Sequence, residues 1–133
     1  MDIHGGCHCG KVTYEGKLNP ENVLICHCTD CQIMSGSAFR TVAPVRERNF
    51  SVKGDTRTYL RGSDSGQRRA MVFCPECGTQ VYGTSVGEGE KIIGIRVGTC
   101  NQRAQLKPHR QIWCQSELSW IPDVDGLPSE ARQ

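Results

Sequence analysis

The sequence predicts a mainly β domain of short strands held together at metal-binding knots, and three observations predict it. Fifteen glycines are spread through 133 residues, which favours turns over long helices. Apolar residues make up 37% of the chain and aromatic residues 6%, so the core is thin and a cross-link would strengthen it. Seven of the nine cysteines fall into three tight clusters: Cys7-His8-Cys9, Cys26-His27-Cys28-Thr29-Asp30-Cys31 and Cys74-Pro75-Glu76-Cys77. Spacings of one or two residues let neighbouring thiolates converge on one cation.

The elements follow in order along the chain. Residues 11–15 alternate polar and apolar, and 22–25 run apolar directly into the second cluster. Residues 38–42, 49–52 and 56–60 are expected to form further short strands. The segment 69–73 leads into the third cluster and 79–82 leaves it. Gly87-Glu88-Gly89 marks a hairpin turn before 91–97, the most strongly β-branched run, and 111–114 completes the set. Helical pattern is confined to 29–34, with Thr29 as N-cap and Gly36 as the stop. Cys31 then sits in the first turn, where the positive helix end favours a thiolate. Pro, Gly and Asp scattered through 122–133 predict an irregular tail. No repeat or low-complexity linker divides the chain, so residues 1–133 are expected to form one domain.

Composition excludes several functions. Sixteen Lys and Arg against fourteen Asp and Glu give a net charge of +2, too balanced for the basic face of a nucleic-acid binder. No window is apolar for long enough to span a bilayer, and no basic start followed by an apolar stretch opens the chain. A cytoplasmic setting with reduced thiols is therefore expected, which favours metal binding over disulfides. An odd count of nine cysteines also argues against a fully paired framework.

Cys74-Pro75-Glu76-Cys77-Gly78 has the spacing of a zinc knuckle, with the glycine allowing a tight turn beneath the metal. One pair cannot close a tetrahedral site. Cys26, Cys28 and Cys31 lie within six residues and can cap one face of a cation, leaving Cys7 and Cys9 to complete the knuckle. Four ligands close a structural zinc, and three with an open position are the arrangement of a catalytic one. Sequential pairing of Cys7, Cys9, Cys26 and Cys28 would strand Cys31, and spacing alone does not settle the choice. A third arrangement makes all seven structural, with a histidine completing the second site. His8 and His27 each lie between two cysteines, and adjacent side chains on a strand point to opposite faces, which disfavours both.

Cys100 and Cys114 stand alone and are expected as small buried hydrophobes, Cys114 being also a candidate neighbour of the open metal. His109 is expected at the surface or a strand end. Arg40, Arg46, Arg48, Arg57, Arg68, Arg69 and Arg96 are expected to form mostly a solvated face, a few of them candidates to hold substrate carboxylates in bidentate fashion. An open three-thiolate zinc flanked by arginine suits a small anionic thiol presented to a carbonyl electrophile. Hydrolysis would normally use a general base as well. Asp30 is the candidate closest in sequence, and it is better explained as a carboxylate at a helix start.

Three segments give the chain a family resemblance: Gly6-Cys7-His8-Cys9-Gly10-Lys11-Val12-Thr13-Tyr14, Cys26-His27-Cys28-Thr29-Asp30-Cys31 and Phe73-Cys74-Pro75-Glu76-Cys77-Gly78-Thr79-Gln80. With Val97-Gly98-Thr99, Ile112-Trp113 and Ser119-Trp120, they resemble the glutathione-dependent formaldehyde-activating enzyme (GFA) family, which includes centromere protein V. The resemblance implies zinc-stapled β-sheets of the Mss-four-like type with one short helix. It implies a structural zinc at Cys7, Cys9, Cys74 and Cys77, and a second zinc, catalytic and sometimes labile, on Cys26, Cys28 and Cys31. The implied activity is that of a carbon–sulfur lyase condensing formaldehyde with glutathione to S-hydroxymethylglutathione, so the expected partner is a small thiol such as glutathione. The alternative is a non-catalytic zinc module that binds a protein partner. A nucleic-acid-binding zinc ribbon is a third and weaker reading.

Overall fold

The computed structural model describes residues 1–62 and 66–133. Its strands, in chain order, are β1 (Asp2–Gly6), β2 (Thr13–Lys17), β3 (Leu24–Cys26), β4 (Arg40–Arg46), β5 (Phe50–Lys53), β6 (Arg57–Arg61), β7 (Arg69–Phe73), β8 (Gln80–Ser85), β9 (Ile92–Arg96) and β10 (Arg110–Ile112). One α-helix, α1 (Thr29–Ser35), joins β3 to β4. The mainly β class with one short helix is as expected.

Two sheets form. The smaller has the order β1-β2-β5, and the larger β10-β3-β4-β9-β8-β7-β6. Neighbours are antiparallel except β10, which runs parallel to β3 and sets Ile112 beside Cys26. The core lies between the sheets: Ile3 and Tyr14 from the smaller meet Ala43, Val45, Ile93 and Ile95 from the larger. Period-two alternation explains the division of β9, because Ile93 and Ile95 are buried in this core while Gly94 and Arg96 line a cavity on the other face.

The strand expected over 11–15 begins two residues later, and β1 lay outside the expected set altogether. Asp2-Ile3-His4-Gly5-Gly6 has a single large apolar residue, yet it pairs along its whole length with β2. Gly5 suits that place, since a Cβ there would collide with the Thr99 carbonyl and the Tyr14 ring. The helix cap also differs from expectation. Cys28, not Thr29, is the N-cap, its Sγ accepting the Cys31 N–H at 3.3 Å. Gly36 ends the helix in the left-handed conformation, as expected. The last strand stops at Ile112, and Cys114 begins a 3-10 turn with its side chain exposed, so it is not a buried hydrophobe. Cys100 is fully buried. Among the described residues no helix is long and apolar enough to cross a membrane.

Candidate functional site

Two thiol clusters are assembled by the fold. In the first, the Sγ atoms of Cys7, Cys9, Cys74 and Cys77 all lie within 4.8 Å of one another. Two similar loops present them. Gly10 N–H donates to the Cys7 carbonyl at 3.1 Å, and Gly78 N–H donates to the Cys74 carbonyl at 2.9 Å, both glycines having positive φ. The arrangement fits zinc. With zinc–sulfur bonds of about 2.3 Å, sulfurs at tetrahedral corners lie about 3.8 Å apart. The Cys7–Cys9 and Cys9–Cys74 separations are 3.6 and 3.7 Å. The Val12 N–H donates to Cys7 Sγ, a contact that favours thiolate charge. A hydrogen bond with the Thr79 hydroxyl, 3.2 Å away, pulls the Cys77 thiol down to about 5. The interleaved grouping of the first and third sequence clusters is therefore the one brought together.

The second cluster holds Cys26, Cys28 and Cys31, again with all Sγ atoms within 4.8 Å. The end of β3 supplies Cys26, the helix cap Cys28 and the first helical turn Cys31. Hydrogen bonding with Cys31 holds the Cys26 thiol below the usual range, while the same contact and burial raise Cys31. A cation bound by the trio would displace the thiol protons. Among the described residues no fourth Cys, His, Asp or Glu joins the three. His27 is fully buried, its Nε2 lying 2.7 Å from Gln111 Oε1, and it is not one of the converging groups. His8 and Cys114 are not among them either. His109 is exposed just before β10.

The trio opens into a cavity of about 370 Å³, a size within the range of small-molecule sites. Arg40, Arg61, Arg69 and Arg96 line it, with Trp113 at the wall beside Ile112. Arg40 is buried and fixed at both nitrogens: its Nη1 lies 3.8 Å from Cys31 Sγ, and its Nη2 donates to Gln80 Oε1 at 3.1 Å. Burial, and then the like charge of Arg40, push Arg96 down to about 9. Trp113 is the described non-glycine residue with positive φ, at 57°, a placement that strains a bulky side chain. Asp30 stands outside the cavity wall and accepts from Arg61 Nη1 at 3.1 Å.

The arginines divide more sharply than expected. Arg46 and Arg48 pair with Glu90 in solvent, and Arg57 and Arg68 are exposed. Arg40, Arg69 and Arg96 turn into the cavity, joined by Arg61, which sequence reasoning passed over. Only the pairing of β6 with β7 distinguishes Arg61 from its neighbours, and no local motif carries that information. Trp113 carries a sequence signal only as part of the family pattern, and its left-handed backbone carries none.

The family model described as glutathione-dependent formaldehyde-activating enzyme matches residues 2–116. No curated protein matches the sequence. Among solved structures, a crystal structure of a Rhodobacter sphaeroides protein, a structural-genomics target, is similar in fold, with a TM-score of 0.62. Its sequence is 21% identical, and the match covers 81% of this chain and 98% of that one.

Proposed function

The chain belongs to the glutathione-dependent formaldehyde-activating enzyme family, and on that premise we propose that its three-thiol cavity joins the sulfur of glutathione to formaldehyde. The family match supports a formaldehyde-activating, glutathione-related role in general. The observation that carries the specific reading is a trio of thiols with one side open to a guanidinium-lined cavity. We assign a structural zinc to Cys7, Cys9, Cys74 and Cys77, and a catalytic zinc to Cys26, Cys28 and Cys31.

In this reaction the thiol sulfur forms a bond to the formaldehyde carbon, the C=O π bond breaks, and the proton lost by the thiol ends on the new hydroxyl. A zinc ion held by the trio would supply charge neutralisation for the entering thiolate. Arg40 places its guanidinium beside Cys31, where negative sulfurs would gather. Cys28, tied to the helix backbone through the Cys31 N–H, fixes the direction in which the trio faces. Among the described residues, no Asp, Glu or His lines the cavity. That composition favours addition to a carbonyl over hydrolysis, which would use a general base. Trp113, 56% exposed, stands between the cavity and solvent.

The test is zinc analysis of anaerobically purified protein with and without glutathione, beside NMR detection of S-hydroxymethylglutathione against the uncatalysed rate. Two zinc equivalents are expected, one removed by a mild chelator, with adduct formation above background that Cys26→Ala abolishes. One equivalent, no rate above background and a Cys26→Ala variant altered only in stability would overturn the proposal. That result would favour a zinc module that binds a protein partner.

A further inference from the structure

The thiol trio uses one guanidinium, Arg40, and three more, Arg61, Arg69 and Arg96, line the same cavity. Arg61 on β6 and Arg69 on β7 stand directly opposite each other in the sheet register. Like charges at opposed positions destabilise a sheet. Asp30 offsets part of the repulsion through Arg61. Arg69 is pushed below its ordinary range by burial and then by Arg61 itself. Arg96 lies across the cavity floor, its Nη1 donating to the Gly94 carbonyl and its Nη2 to Met71 Sδ, both at 3.2 Å. Its Nε is buried with no hydrogen-bond partner. Gly83 makes room for it, because a Cβ at that position would lie 2.6 Å from Arg96 Nη2.

Charge points the same way. Three thiolates around a divalent ion would carry one net negative charge, and Asp30 supplies another. Four guanidiniums therefore leave two positive charges in excess among the described residues. Desolvated guanidiniums are stabilised by planar oxyanions that accept from both arms of the fork. We infer that Arg61, Arg69 and Arg96 form a carboxylate clamp that makes this cavity selective for thiols bearing carboxylates. The inference rests on the reading of the cavity as a thiol site. Arg40, committed to Cys31 and Gln80, stands apart from the clamp.

Titration calorimetry on the zinc-loaded protein tests this with three probes: glutathione, its diethyl ester and S-methylglutathione. Glutathione should bind at least about a hundredfold tighter than the ester, since the ester lacks every one of the charge-assisted bonds. S-methylglutathione, which keeps the carboxylates and loses the free thiol, should still bind. Arg69→Gln should weaken glutathione and S-methylglutathione about tenfold and leave the ester unchanged, with part of the loss restored by Arg69→Lys. Without ligand, Arg69→Gln should melt no lower than the parent, because it relieves repulsion with Arg61. Equal binding of glutathione and its ester overturns the clamp even if turnover is intact. Should Arg69→Gln not fold, that comparison on the unaltered protein still decides. Carboxylate-dependent binding without adduct formation overturns the condensation reaction and leaves the clamp standing.

Discussion

Replacing Gly83 with alanine separates the cavity's chemistry from its stability. Gly83 on β8 pairs with Met71 on one side and Gly94 on the other, and its φ is not in the left-handed region. Alanine is therefore allowed by the backbone, and in a strand it gains about 0.5–1 kcal/mol over glycine. The new methyl would stand 2.6 Å from Arg96 Nη2 and 3.2 Å from the Met71 Cε and Sδ atoms. The end of a long side chain yields more easily than backbone, so Arg96 swings away and loses its bond to the Gly94 carbonyl. For a charged donor that loss costs about 1.5–3 kcal/mol, of which the strand gain offsets about 0.5–1 kcal/mol, so stability falls only modestly. The displaced guanidinium no longer reaches a bound carboxylate, and a charge-assisted bond is worth about 1.5–3 kcal/mol, or roughly ten- to a hundredfold in affinity. Thermal melts and calorimetric titration with S-methylglutathione measure the two quantities on one sample. A large fall in melting temperature with unchanged affinity would refute the reasoning, because Arg96 would then not be the group that yields.

Three further predictions address the thiols and the cavity wall. Cys74→Ser should abolish the folded state, since a structural zinc contributes about 10–16 kcal/mol against a typical total stability of about 5–15 kcal/mol; Cys28→Ser should keep the fold, and circular dichroism with zinc analysis distinguishes them. With the four-thiol knot loaded and the second site empty, Cys26 is held below and Cys31 above the usual thiol range, each chiefly by the contact between them. Iodoacetamide should therefore label Cys26 before Cys31, as read by peptide mass spectrometry. Trp113 lines the cavity and Trp120 does not, so ligand binding should change tryptophan emission in the native protein and not in Trp113→Phe.

The metal clusters were legible because ligand spacing is local, and so were most strands, because alternation is local. The segment 69–73 coincides with β7, while β9 is one residue shorter at each end than the β-branched run. What escaped depended on partners far away in sequence. β1 exists because β2 completes it, and Arg61 enters the cavity because β6 pairs with β7. Thr29 is a better cap than cysteine by propensity, yet Cys28 takes the position because its sulfur already lies against the Cys31 amide. Cys114 fails as a buried residue because the left-handed turn at Trp113 ends β10 and sends the chain outward.

The parallel seam between β3 and β10 has a consequence for biosynthesis. Cys26 is joined there by Ile112, and the His27 amide donates to the Ile112 carbonyl at 3.1 Å, across more than eighty residues of chain. While a ribosome is still extruding the polypeptide, the trio stands on a bare sheet edge without its tryptophan wall. The four-thiol knot, complete once Cys77 has emerged, can form before that edge is covered. The order of the chain thus lets the fastening close before the reactive chamber does. A nascent chain halted before residue 110 would hold its knot and have no enclosed chamber.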